Sequence, residues 1–415
     1  MIRLAGAVAI ALTLAGAPRL GAAATLHVDD LGDGRPGAGT AADPYRGLQT
    51  ALDAATDGDV ILVLPGTYEA TPAAFVDVLC GNCLEHRTPV PATRGFLVAG
   101  KSIEIVGAGA QATTLVTRAG YGVLFDGCRE AAMSGLRITG GVRDDDGNAT
   151  DAAVVVRGSR VALSRLEIAN NTHRLEDVVV GIGGVMGREG AEVVITDCVI
   201  RNNGWDGIAL YRGAVAYVAD CQISQGRGAG IGITWDAVAT VLRNRVSGYW
   251  KGIGTFGSSR AVVRNNEVFD NLGWGVIATG TSSMEAANNV ITRNGNCGFA
   301  LWSEEATAFL SSNVITENGW REEWVCPRVG VWLNGVREKL NARYNDVWNN
   351  VEGNYRDMED PTGVLGNVSF DPMFADSLDF RLEPGSPAVD AADTLFTDPD
   401  GGPADLGAFG GPIAR

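Results

Sequence analysis

The chain has 415 residues, with 33 Lys and Arg against 49 Asp and Glu, for a net charge of −16. Nucleic-acid affinity rests on clustered basic residues that neutralise phosphates, so this balance excludes a nucleic-acid partner. Hydrophobic residues make up 46% and charged residues 20%, enough for a buried core, and 56 Gly mark a turn-rich fold. No Gly-X-Y period accompanies the glycines, which excludes collagen.

The first residues carry one positive charge at Arg3, an apolar run from Leu4 to Ala17, and small side chains at Ala22 and Ala24. This is the pattern of a secretory signal peptide over residues 1–24, so a secreted, periplasmic or cell-surface location is expected. The run is shorter than the ~20 residues of a membrane span, and no later segment is long enough to cross a bilayer. An integral membrane protein is therefore not expected.

Export makes disulfides possible. Cys80 and Cys83 form a lone C-x-x-C read as a small loop disulfide, and Cys297 with Cys326 is a second candidate pair. The glycines around Gly107 and Gly109 mark a turn and not a dinucleotide site, since no helix follows them. Further along, Asp144, Asp146, Asn148 and Asp151 place oxygen donors at alternate positions around Gly147. Hard-cation loops do the same, although the closing Glu of an EF-hand is missing; calcium and a solvated acidic loop are the two readings. Of the three His residues, His173 is the candidate acid-base group, and a plain loop residue is the other reading.

From about residue 200 a repeat dominates. Gly followed by aliphatic residues recurs at Gly207, Gly230, Gly252, Gly275, Gly298 and Gly330, with steps of 23, 22, 23, 23 and 32. A second element recurs with its aliphatic centre at Ile200, Ile223, Val246, Val268, Ile291, Ile315 and Val347. Both are short, alternating and bounded by Gly, Asn or Asp, which is a strand pattern. Pairs such as Ile208 with Leu210, Ile231 with Ile233, and Phe299 with Leu301 are expected to point inward. Short strands at this period, with no helix-length segment between them, stack as coils of a parallel β-helix. Leucine-rich repeats share the period but not the consensus.

Asn244, Asn266, Asn289, Asn313 and Asn345 each precede the centre by two residues, and stacking would place their amides about 4.8 Å apart in a hydrogen-bonded ladder. Cys198 and Cys221 occupy the same position in two earlier coils and are expected as buried thiols, because in-register side chains point the wrong way for a disulfide. Asn171, Asn203, Asn271, Asn294, Asn318 and Asn350, three residues after the centre, are read as turn residues.

With these features the chain resembles the right-handed parallel β-helix proteins of the pectin-lyase-like superfamily. The stretch from Ala42 to Ala70 is similar to the opening of many secreted members, with a short capping helix around Leu48 to Ala55 and a first strand ending at Pro65-Gly66-Thr67-Tyr68. The stretch from Asp371 to Gly411 is similar to their closing segment. The resemblance implies one all-β solenoid of 22–23 residues per coil: cap and first coils over 25–120, regular coils over 121–350, and a polar closing segment over 351–415. It implies a fold and not one activity, since the architecture hosts lyases, hydrolases, epimerases, adhesins and inactive surface proteins.

Substrate sites in such helices lie on the exposed face of one sheet, and here the face starting at each repeat Gly carries a polar and aromatic strip. Trp205, Trp235, Trp250, Trp274 and Trp302 offer flat faces for sugar rings, with Asp236 and Glu304 beside them; packing against neighbouring coils is the other reading of each Trp. Elimination at a uronate needs a base and a cation for the carboxylate. Lys251 as base, Arg212 or Arg227 as clamp, Tyr211 as proton donor and Asp206 nearby form the best constellation. Hydrolysis would need two carboxylates about 5 to 9.5 Å apart, and Asp236 and Glu304 are three coils apart. The expected function is that of a carbohydrate-interacting protein, a lyase on acidic polysaccharide or a non-catalytic scaffold binding glycan or protein. Calcium is the one cofactor to consider, and a monomer is the expected state.

Overall fold

Three short strands, not two, build each coil. The computed structural model describes residues 23–31, 36–79, 89–145, 150–172, 181–322 and 325–414. Within them the strands form sheets of 13, 11 and 12 strands, each visited once per turn. The second sheet holds the aliphatic-centre element, as in Val290–Thr292, and the third holds the Gly-initiated element, as in Trp274–Thr279. The first sheet, as in Val238–Leu242 and Arg260–Arg264, completes the turn. Its residues alternate Val, Ala, Thr and Arg without a fixed marker, so no repeat is visible there by eye.

The expected inward residues are inward: Ile208, Leu210, Ile231, Ile233, Phe299 and Leu301 are fully buried. Ile200, Ile223, Val246, Val268, Ile291, Ile315 and Val347 pair in register down the second sheet, so each stacks on its equivalent in the next coil. Burial of each such aliphatic side chain stabilises the fold by about 1.5–3 kcal/mol.

The Asn ladder exists. Asn266 Nδ2 donates to Asn289 Oδ1 at 3.0 Å, Asn289 to Asn313 at 2.9 Å, and Asn313 to Asn345 at 2.8 Å. Asn367 adds a rung that ends the stack, accepting from Asn345 at 3.1 Å. The second Asn set is also a ladder rather than a row of plain turn residues: Asn271 donates to Asn294 at 2.9 Å, Asn294 to Asn318 at 2.9 Å and Asn318 to Asn350 at 3.0 Å. The residue before each rung is left-handed, for example Asn265, Asn288, Asp270 and Arg293 at φ 55°, 51°, 52° and 52°. Each of these bends is strained by about 1–2 kcal/mol, and the buried amide that follows holds it by bonding both backbone and neighbour. Gly275 shows why the repeat glycine is needed: a Cβ there would lie 2.6 Å from Ile291 and 2.7 Å from Asn294 Nδ2.

The helix Leu48–Ala54 caps the first coils through Leu48, Ala51 and Leu52, where a capping helix was expected. The expected closing segment divides in two. Residues up to Val368, which bridges to Asp346, finish the last coil, and the remainder runs back along the second sheet. There Phe380, Ala388, Leu406 and Ala408 bury Phe269, Val290 and Val314. Near the other end, Ala73–Asp77 is the edge strand of the third sheet, paired antiparallel with the start of Val90–Ala99, and this hairpin packs Phe75 and Ala92 onto Tyr121, Leu124 and Val155 as a flap.

Candidate functional site

The outer face of the third sheet carries a column of outward residues whose size changes along the helix. In register it reads Leu97, Leu124, Val155, Met186, Ala209, Gly232, Gly254, Ile277, Ala300 and Trp332. Large side chains stand at both ends, and the middle is stripped. A Cβ on Gly232 would meet nothing nearer than Ala229 at 3.5 Å and Asp206 Oδ2 at 3.8 Å. The sheet is thus recessed over Gly232, and Asp206 edges the recess.

Three of the expected catalytic residues surround this recess. Asp206 is 8% exposed, and its Oδ1 accepts the Ala229 N–H at 2.6 Å. Burial pushes its carboxyl up to about 6, against the opposing pull of that N–H and of the Lys251 charge. Lys251, two strands further on, is half-buried, with its Nζ 5.4 Å from the Phe256 ring centre and 5.9 Å from that of Trp274. Its pKa is lowered by burial, and Asp206 opposes the shift. Burial, and then the charge of Asp206, pushes the half-buried Tyr211 phenol upward, so Tyr211 stays protonated and able to donate.

Other candidates lie elsewhere. Arg212 is buried: its Nε donates to Glu189 Oε1 at 2.6 Å and its Nη2 to the Leu79 carbonyl at 2.9 Å. It ties the flap to the coil, which corrects its reading as a clamp for a substrate carboxylate. Arg227 is exposed on the turn between Gln222–Ser224 and Ala229–Ile233, its backbone N–H donating to the Trp205 carbonyl. Asp236 is exposed and accepts the Gly213 N–H at 2.7 Å, and Glu304 is exposed in the turn after Phe299–Trp302.

The tryptophans divide between packing and rim. Trp274, Trp302 and Trp332 follow one another at ring-centre distances of 5.5 and 5.9 Å, and Trp250 meets Trp274 edge-on at 6.0 Å. Trp274 is only 3% exposed, so its expected sugar-stacking face is covered by its neighbours. Trp250, capped by the Arg321 guanidinium at 4.8 Å, and Trp205, lying against Gly228, are half-buried at the rim. Trp235 is a left-handed turn residue at φ 61°. The sequence reading missed Trp332, although it falls at the same offset from its repeat glycine as Ala300 and Ile277.

The flap is held by a charge cluster that no local sequence signal marks. Asp77 is fully buried and accepts from Arg157 Nη1 at 2.9 Å, from the Tyr121 hydroxyl at 2.9 Å, and from fully buried Arg188. Phe75 packs edge-on against Tyr121 at 5.4 Å. These contacts come from residues over 40 positions apart in the chain, so they had no periodic signature.

In the loop read as either a calcium site or a solvated acidic loop, Asp144 and Asp151 already have protein donors. Thr93 N–H and Oγ1 donate to Asp144 at 2.9 and 2.6 Å, and Arg143 donates to Asp151 at 2.5 Å. Burial pushes the Asp151 carboxyl up to about 7. Asp146, Asn148, His173, Cys80 and Cys83 lie outside the described residues. Cys198 and Cys221 are buried thiols as expected, and Cys297 and Cys326 are buried thiols with their sulfurs in contact at 3.3 Å rather than bonded.

A family profile for the right handed beta helix region matches residues 180–347, in agreement with the three-sheet coil. Among solved structures, the chain is similar to pectate lyase Pel9A at 14% identity and TM-score 0.49, over 93% of this chain and 96% of that one. It is similar to the Azotobacter vinelandii mannuronan C-5 epimerase AlgE4 A-module at 16% and 0.46, over 78% and 94%, and to a rhamnogalacturonan lyase at 11% and 0.48, over 77% and 87%. No curated protein matches the chain by sequence.

Proposed function

We propose that the chain acts on an acidic saccharide at the recess over Gly232, with Lys251 as the base of a β-elimination. The observation that supports this is the half-buried Lys251, its pKa lowered by burial, beside an Asp206 pushed up to about 6 on a floor without side chains. A neutral amine placed there can take the proton from the carbon that bears the uronate carboxyl. The electron pair left behind forms the new C=C bond as the glycosidic C–O bond breaks, and Tyr211 supplies the proton to the departing oxygen. Asp206 complements this step. A substrate carboxylate arriving beside it raises its pKa further, so Asp206 carries a proton and donates a hydrogen bond to the carboxylate in place of the clamp that Arg212 does not provide. Arg227 stands at the rim on the same side.

The assay is ultraviolet absorbance of the unsaturated product, on a panel of polyuronates with and without calcium. Lys251→Ala should lower the rate by about 10²–10⁴-fold and Tyr211→Phe by a smaller factor, with binding retained. No product from the wild type on any polyuronate would end the lyase reading.

A second reading, recognition without catalysis, draws on the −16 net charge and on the binding of Arg212 to Glu189. It predicts saccharide binding that Trp250→Ala weakens and Lys251→Ala does not change in kind. Both readings place the protein outside the cytoplasm, on the basis of the leader pattern in residues 1–24. No helix among the described residues is long and apolar enough to cross a membrane.

A further inference from the structure

We infer that the recess receives the end of a saccharide chain, one or two sugar residues, and not a stretch of its interior. This rests on the proposed saccharide site and adds how the substrate lies in it. A polymer bound along the helix axis would follow the outward column of the third sheet, and that column is built over on both sides of the recess.

Upstream, Phe75 and Ala92 of the flap join Tyr121, Leu124, Val155 and Met186 in a buried apolar cluster that reaches Ala209. The flap is fastened at its far end by Leu79, whose carbonyl accepts from Arg188 at 3.2 Å and from Arg212 at 2.9 Å. Arg212 adjoins Tyr211, so the fastening point lies on the coil of the site itself. Downstream, Ile277 and Ala300 are buried under Trp274, Trp332 and the segment carrying Val325 and Cys326. Arg321 from the same segment covers Trp250.

The floor left between these walls consists of Gly232 and Gly254, and from Ala209 to Ile277 is three strand spacings, about 14 Å. Phe256 takes part of that length, since a Cβ on Gly254 would lie 2.7 Å from its ring. A pyranose ring is about one strand spacing across, so the floor holds one or two rings and no more. Asp206, Tyr211 and Lys251 all border this short floor, which places the susceptible linkage at the chain end.

The test uses saturated oligouronates of one to six residues, in galacturonate, mannuronate, guluronate and glucuronate series, with binding to the full chain followed by calorimetry. Affinity should rise about tenfold from one residue to two and then change by less than about twofold up to six. A Cβ at Gly232 makes only ordinary contacts and the backbone there is not left-handed, so Gly232→Ala should fold, and Gly232→Leu, checked for folding by circular dichroism, should weaken the dimer at least about tenfold. On the parent polymers, unsaturated mono- or disaccharide should appear before viscosity falls. Affinity that keeps rising through the hexamer, early loss of viscosity, or dimer binding unchanged in Gly232→Leu would each overturn the inference while leaving the saccharide reading in place. Absence of binding at every length in all four series would overturn that reading and this inference with it.

Discussion

Asp206 and Lys251 carry opposite burial shifts, and each can be read out separately. The Asp206 carboxyl moves from the usual 3.8 to about 6 on folding. A raised folded pKa means that the stability is intact below the unfolded value and is lost as pH rises through the folded one, by about 3 kcal/mol for a shift of this size. Asp206→Asn keeps an acceptor for the Ala229 N–H and removes that loss. Its melting temperature should exceed the wild type's at about pH 8, and the two should converge near pH 4; equal melting curves at both pH values would show that Asp206 is not desolvated. The same substitution removes the charge that holds the proton on Lys251. The rising limb of the kcat/KM profile, which reports the enzyme before substrate protonates Asp206, should therefore move to lower pH in Asp206→Asn, and a limb that stays in place would separate Lys251 from Asp206. Residue types and coil positions bring Asp206, Tyr211 and Lys251 together in the reading of the sequence, because the period sets Asp206 and Lys251 at the start of third-sheet strands and Tyr211 just past the end of one. Arg212 failed the same reasoning because its partners, Glu189 and Leu79, reach it from another turn and from the flap, and position in the repeat says nothing about either.

One step up, the second Asn ladder has a break that the sequence displays and the structure explains. Between Asn203 and Asn271 the equivalent positions are Gly226 and Tyr249. Tyr249 is fully buried, and a Cβ on Gly226 would lie 2.1 Å from its ring. One aromatic ring thus fills the space of two amides, with its backbone N–H still donating to Asn271 Oδ1 at 3.1 Å. Gly226→Asn alone should clash and Tyr249→Asn alone should leave a cavity, each costing about 2–4 kcal/mol. Combined, they restore the amide row, so the double variant should be more stable than the sum of the two predicts by at least about 1 kcal/mol. Denaturant midpoints of the four proteins measure this, and simple additivity would mean the ring and the ladder do not compete for one space. Within the regular ladder, Asn289→Ala strands the Asn266 N–H, which donates to Asn289 Oδ1 at 3.0 Å, and the Val263 carbonyl, which accepts from it at 2.9 Å. A loss of about 2–4 kcal/mol is expected in the same measurement. Asparagine spacing made the first ladder legible. The row from Asn271 to Asn350 has the sequence of ordinary turns, because the Asn-Gly pairs at Asn294 and Asn318 are also what a turn requires. Burial, which separates the two, is a property of the stacked coil and not of the pair.

For the whole molecule, the question is what makes a stack of near-identical coils unfold together. A solenoid held only by neighbouring coils has one-dimensional cooperativity and can fray from either end. Here the closing segment supplies contacts that skip coils. Arg245 donates to the Leu378 carbonyl at 3.0 Å, Arg293 to Ser377 at 2.8 Å, Asn265 to Ala408 at 3.0 Å, and Arg343 pairs with Asp393 at 2.8 Å. One strap of chain thereby spans the coils from Arg245 to Arg343, and its apolar side covers Phe269, Val290 and Val314. The closing position of this segment follows from its place after the last repeat. Its path does not, because its turns carry no period and its partners are the outward residues of strands whose inward residues define the repeat. Removing residues 371–415 should leave the N-terminal coils folded, expose the apolar face of the second sheet and uncouple the coils. Denaturant unfolding followed by tryptophan fluorescence, which reports on the coils from Trp205 to Trp348, should then precede unfolding followed by far-ultraviolet circular dichroism, and the fluorescence slope should fall. Coincident transitions with an unchanged slope would show that the coils hold together through their ladders alone and that the strap only shields the sheet.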